Sequence, residues 1–291
     1  LVYSCRRRFT PHHLVSISIK IGEVDKEVGY PSPLTDKQGG PPLDIAIYII
    51  ILILGLLFGS FTNVIIYRMP REESIIFPPS HCPGCNARLK VLDLVPVLSW
   101  LFLGGRCRYC KEKISPRYAV VELLCGLLFL GVYLRYGLTM ETVAGFVFAV
   151  ILLASAFIDL DHGIIPDKLT YPGIVLGLIL SFWTLGFLAA LYGTLAFGGL
   201  MFIIAVVSNG GMGGGDIKMA GCIGAFTGLA GSAVTLIMAA FLGAIFGLAL
   251  ILYKKGGRKT AVKFGPFLAV SAYTAYLYAE NIFYWYLGSF F

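Results

Sequence analysis

The sequence predicts an all-α polytopic membrane protein with about eight transmembrane helices and a cysteine-bearing loop domain after the first of them. Three observations carry this. Apolar stretches of roughly 20 residues, enough to cross a hydrocarbon core, recur from Asp44 to the C-terminus. Hydrophobic residues make up 57% of the chain and charged residues only 13%, about half the share usual in a soluble domain. The Lys and Arg behind the net charge of +7 lie between the apolar stretches. A basic chain invites a nucleic-acid reading, but charge so placed sets orientation in a membrane instead, and no nucleic-acid partner is expected.

The elements follow in order. Residues 1–43 contain Arg6-Arg7-Arg8, His12, His13 and a Gly/Pro-rich run, with no apolar core of signal-peptide length. The chain also starts on Leu, so this part reads as a disordered or mis-started extension. The first span is expected at 45–67 within a segment 44–67, and a loop follows over 68–117. The remainder, 118–291, reads as one membrane domain. Its spans are expected at 118–136 and 140–158, joined by Gly137-Leu138-Thr139. Two more fall within 169–208, breaking near 184–188, and two within 217–253, turning near 227–231, the first of these being short. The last is expected at 264–283. Trp183, Tyr284, Trp285 and Tyr286 lie near span ends, as interfacial anchors do.

Charge checks the count. Beyond residue 43 there are 17 Lys/Arg, and eight spans put 16 of them on one side, Arg135 being the exception. Positive short loops stay cytoplasmic. The cysteine loop and the segments around Asp159 and Asp216 are therefore expected on the cytoplasmic side.

The 68–117 loop holds two C-x-x-C knuckles, Cys82-Pro83-Gly84-Cys85 and Cys107-Arg108-Tyr109-Cys110, with 21 residues between them. Such a pair puts four thiolates within reach of one tetrahedral Zn2+. Cytoplasmic thiols stay reduced, which disfavours two disulfides, and redox C-x-x-C motifs come singly. His81 could substitute as a ligand or be an exposed neighbour. Four protein ligands leave no open position, so the expected zinc is structural.

Two carboxylates stand where apolar spans break. Asp159 follows the run ending Phe157-Ile158, and Asp216 follows Gly213-Gly214-Gly215. An ionisable group there is expensive and implies a role. If the helix runs on past Asp159, Asp159 and Asp161 point about 200° apart, so only one can face a buried partner. Asp161 is expected as a solvated charge and Asp167 as a helix cap. Lys218 reads as a surface anchor, and Glu122 as either a buried functional acid or a partner of Arg117. The glycines before Asp216 permit close backbone approach. A phosphate-binding loop is their other use, but a carboxylate at the anion position argues against it. Two close carboxylates share one proton and activate a water, the arrangement of an intramembrane aspartic peptidase. Helix ends suggest that Asp159 holds the proton and Asp216 the charge.

These residues resemble the bacterial type IV prepilin peptidases, or leader peptidase/N-methyltransferases. The resemblance is carried by Gly59-Ser60-Phe61-Thr62-Asn63-Val64-Ile65-Ile66-Tyr67-Arg68-Met69-Pro70, the paired knuckles, and Pro96-Val97-Leu98-Ser99-Trp100. It continues in Ile114-Ser115-Pro116-Arg117-Tyr118 with Glu122, the segment 159–167, and the GxGD motif ending at Asp216. Residues 1–43 match nothing in that pattern, and Tyr118-Ala119 stands where Tyr-Pro is frequent.

The resemblance implies eight spans in the bacterial inner membrane and catalysis by Asp159 and Asp216. It implies cleavage of the basic leader of prepilins and pseudopilins after a Gly on the cytoplasmic side. It also implies methylation of the new N-terminus by S-adenosylmethionine, since members with the cysteine loop are usually bifunctional. No nucleotide-binding motif locates that cofactor. Rivals are a peptidase without methylation, an ion-coupled transporter or assembly protein, and a zinc-ribbon membrane adaptor.

Overall fold

The computed structural model describes residues 41–82, 84–208, 212–252 and 263–290. The expectations for residues 1–40, Gly210, Gly211 and the basic run at 254–259 lie outside them, as do the side chains of Tyr284, Trp285 and Tyr286. The described residues form helices α1 (Pro41–Arg68), α2 (Leu98–Phe102), α3 (Arg117–Tyr136), α4 (Met140–His162), α5 (Asp167–Leu180), α6 (Phe187–Val207), α7 (Gly214–Leu252) and α8 (Gly265–Phe290). Helix α1 thus opens inside the expected 1–43 extension. No strand occurs among the described residues, only two isolated bridges in the cysteine loop.

Five helices are long and apolar enough to cross a membrane: Ile45–Arg71, Arg117–Tyr136, Met140–His162, Phe187–Val207 and Gly214–Leu250. The protein is therefore a membrane protein. The sequence expects eight spans, and the difference has local reasons. Helix α5 has 14 residues, short of the roughly 20 needed. Helix α7 qualifies as one segment although Gly228, at φ 61° and ψ −165°, interrupts it. Those angles suit only glycine, and they fall within the turn expected at 227–231. Helix α8 carries Glu280 and Asn281. Arg135, the exception to the charge pattern, donates to Asn281 Oδ1 (2.6 Å) and Leu277 O (2.8 Å) on that helix.

Helix α4 is the innermost. It packs against α1, α3, α5 and α8, and Phe148, Ala149, Ala154 and Ile158 on it are fully buried. The outer helices leave Ile45, Ile49, Ile50 and Ile53 of α1 exposed. Apolar side chains both inside and out are the mark of a helix in lipid.

Small residues set the spacing, as in membranes where packing replaces hydrophobic exclusion. A Cβ at Gly55 would lie 2.7 Å from Gly126 Cα, and one at Gly59 would lie 2.6 Å from Glu122 Cα, so α1 meets α3 backbone to backbone. On α5, Gly173 and Gly177 repeat the four-residue spacing against Cys222, Ala225 and Phe226 of α7.

Candidate active site

Asp159 is buried, with 6% of its surface exposed, although it lies three residues from the end of α4. The helix runs past the expected limit at 158 and closes at Gly163 (φ 68°), whose N–H reaches Asp159 O at 2.9 Å. Continuing the helix separates Asp159 from Asp161, as anticipated. Asp161 is not a free solvated charge, however. It pairs with Arg117 at the start of α3. Arg117 also donates to Phe157 O (3.4 Å) and lies over the Phe157 ring, 5.2 Å from its centre.

Asp216 is the third residue of α7 and is half-buried, its N–H donating to Gly213 O at 3.1 Å. Gly215 presses on the α4–α5 connection: a Cβ there would sit 2.9 Å from Ile165 Cβ and 3.1 Å from Ile165 N. Lys218, one turn into α7, places Nζ 2.6 and 2.7 Å from the two carboxylate oxygens of Asp167. Lys218 is therefore more than a surface anchor, and Asp167 is not a side-chain cap. It is the first residue of α5, with Pro166 at the cap and no capping bond. Two contacts thus fix the start of α7 against the chain that follows Asp159. Asp159 and Asp216 lie close enough for the charge of one to act on the other.

A third element was not foreseen. The N–H of Gly265, opening α8, donates to Asp159 Oδ2 at 3.0 Å. The preceding Lys263 reaches Leu160 O at 2.7 Å, and its charge also acts on Asp159. The positive end of α8 therefore faces Asp159 as well. The proton assignment from helix ends considered α4 and α7 alone and loses its basis. Phe264-Gly265-Pro266 signals the start of a helix, since Pro is favoured in a first helical turn, but nothing in it points to Asp159.

In the cysteine loop the two knuckles fold alike. The N–H of Cys82 donates to Ala87 O and that of Asn86 to Cys82 O; the N–H of Cys107 donates to Glu112 O and that of Lys111 to Cys107 O. Asn86 and Lys111 both take positive φ, 54° and 61°. The ligand atoms of Cys82, Cys85, Cys107 and Cys110 all lie within 4.8 Å of one another, a cluster able to hold a metal ion. Backbone N–H groups of Cys110 and Tyr109 bring the Cys107 thiol down to about 7. His81 stays outside this cluster, its Nδ1 3.1 Å from Pro79 O.

Glu122 is not the partner of Arg117. Its Oε2 accepts the N–H of Val97 at 2.7 Å, joining the loop to α3. Val97 has φ 60°, an uncommon and strained conformation for a β-branched residue.

Two family models match the chain: the bacterial peptidase A24 N-terminal domain over residues 53–136, and the type IV leader peptidase family over 146–248. Curated relatives called prepilin leader peptidase/N-methyltransferase include one from Aeromonas hydrophila, 34% identical over 272 residues, covering 83% of this chain and 94% of the relative. The chain belongs to the type IV leader peptidase family. Other relatives of the same name are those of Pseudomonas aeruginosa, 31% identical over 280 residues (86% and 96% covered), and Bacillus subtilis, 33% over 244 residues (82% and 97% covered). No solved structure matches. The leader peptidase match takes in both aspartates and stops short of Gly265, while the N-terminal match takes in the four cysteines.

Proposed function

We propose that this leader peptidase is an intramembrane aspartic endopeptidase acting on type IV prepilins or pseudopilins. It removes the basic leader after a Gly on the cytoplasmic side of the bacterial inner membrane. The observation that carries the reading is the seating of Gly215 and Lys218, on either side of Asp216, against Ile165 and Asp167 of the segment that follows the buried Asp159. One carboxylate takes a proton from a water whose oxygen attacks the scissile carbonyl carbon. The other, protonated, gives its proton to the carbonyl oxygen, and the C–N bond then breaks as the leaving nitrogen is protonated. Leader acid and mature N-terminal amine result. The functional parts are a first span at 44–67, a cysteine loop at 68–117 and a peptidase domain at 118–291.

Zn2+ suits the four-cysteine cluster. Tetrahedral Zn–S bonds of about 2.3 Å put sulfurs about 3.8 Å apart, and the Sγ atoms of Cys82 and Cys110 are 3.8 Å apart. Four such ligands hold a loop together and leave no position for catalysis.

The relatives' name supports a second activity, methylation of the new amine. S-adenosylmethionine supplies an electrophilic methyl group for that step. No nucleotide-binding motif occurs among the described residues, so no residue is assigned to it.

The test is cleavage of a basic-leader, Gly-Phe prepilin peptide by purified enzyme. Asp159→Asn and Asp216→Asn should each lose at least about a hundredfold in rate. Near-normal cleavage in either variant would falsify the pairing. Mass spectrometry of the mature N-terminus, with and without the methyl donor, decides whether methylation accompanies cleavage.

A further inference from the structure

The cysteine loop exposes large apolar side chains that no described part of the chain covers. Phe102 is 87% exposed, Val91 82% and Leu92 72%, with Leu98 and Leu101 more than half exposed. They occupy two touching elements, the turn Val91–Asp93 and helix α2. Neither is a loose excursion. Arg108 of the second knuckle pairs with Asp93 at 2.5 Å, and the N–H of Lys90 reaches the same carboxylate. Burial tends to raise Asp93, but these two bonds outweigh it and hold the carboxyl below its ordinary range. Trp100 Nε1 donates to Ile114 O at 3.1 Å, three residues before α3 begins.

The deciding contact is the one from Val97 to Glu122. Val97 directly precedes α2, and Glu122 is the sixth residue of α3, a helix able to span the membrane. At 1.5 Å per residue Glu122 lies about 7 Å inside the end of α3. The start of α2 is therefore moored to a spanning helix at a point below that helix's end. The loop carries nine Lys/Arg against four acids, the charge that anionic headgroups attract.

We infer that Val91, Leu92, Leu98, Leu101 and Phe102 form an interfacial anchor that enters the headgroup–acyl boundary of the bilayer beside α1 and α3. Exposed apolar clusters on a segment of net positive charge bind membranes in this way. The anchor presses the loop domain flat against the leaflet. This inference rests only on α1 and α3 spanning the membrane.

The experiment places a photoreactive diazirine analogue of leucine singly at Leu98, Leu101 or Phe102 of the full chain. Each protein is reconstituted in phosphatidylethanolamine–phosphatidylglycerol vesicles, checked for peptidase activity and illuminated, and adducts are read by mass spectrometry. Ile50, exposed on α1, is the in-membrane reference, and Lys111, exposed on the second knuckle, is the solvent reference. Position 102 should give lipid adducts at a yield near that of position 50 and at least about fivefold above that of position 111. Glu122→Ala should lower the yield at 102 and leave that at 50 unchanged. Quenching by water at 102 as at 111 overturns the inference. So do adducts mainly to a second copy of the chain or to an added prepilin peptide. Absence of lipid adducts at position 50 would instead remove the membrane placement of α1, and the anchor with it.

Discussion

The N–H of Gly265 points at Oδ2 of Asp159 from 3.0 Å, so the first residue of α8 touches the last buried residue of α4 across 106 positions of sequence. A side chain at 265 cannot coexist with this contact. A Cβ there would stand 2.6 Å from that oxygen and 3.0 Å from Asp159 Cβ and Cγ. Gly265→Ala should displace the Asp159 carboxylate and lower kcat by about ten- to a hundredfold, the scale of an ångström-sized misplacement. KM should change less than kcat, because the group displaced is the Asp159 carboxylate that the chemical step uses. Steady-state cleavage kinetics check this, and unfolding temperature within a few degrees of the parent separates it from misfolding.

That contact also shows where sequence reasoning reached and where it stopped. Asp159 and Asp216 stood out because a charge beside an apolar span is costly in itself. The four cysteines stood out because ligand spacing is a local property. Even the interruption at Gly228 was readable, from an apolar stretch too long for one span. Lys263 and Gly265 carried no such mark. Lys263 looked like one more orienting charge, and a glycine before a proline is ordinary at a helix start. The pairs Lys218–Asp167 and Arg117–Asp161 were missed for the same reason. Each joins residues more than forty positions apart, and without the packing of α3, α4, α5 and α7 nothing singles out the partner.

The Lys218–Asp167 pair suggests a second measurement. It ties α7, two residues beyond Asp216, to the first residue of α5. Lys218→Met and Asp167→Asn should each reduce cleavage a few-fold, roughly two- to tenfold, and the double variant should be no worse than the poorer single one. Fully multiplicative losses would mean that the two side chains act separately. Raised salt should lessen the parent's advantage over the variants, since the pair is partly exposed.

Zinc content can be read directly. Purified enzyme should carry about one zinc per chain, and Cys→Ser at Cys82 or Cys107, the two buried members, should lose most of it. Protons compete with metal for thiolates, so retention should fall as pH drops. Inorganic mass spectrometry after dialysis across a pH series follows this. Peptidase activity should outlast the metal, in contrast to its loss in Asp159→Asn, because both aspartates lie on other elements.

The packing of α6 on α7 offers the most direct test of the membrane fold itself. A Cβ at Gly224 would lie 2.3 Å from Gly193 O, and one at Gly193 would lie 2.5 Å from Gly224 O and 2.7 Å from Gly228 Cα. All of these neighbours are backbone, which cannot rotate away as a side chain can. Gly224→Ala or Gly193→Ala should therefore destabilise by about 1–3 kcal/mol, the range for overpacking. Gly199→Ala on the same helix α6 meets no atom within 4 Å and should be close to neutral. Denaturation in mixed detergent micelles measures all three. Gly224 lies in the helical segment that starts at Gly214 and carries Asp216. Pushing that segment off α6 should move the carboxylate too, so cleavage in Gly224→Ala should fall further than its stability alone accounts for.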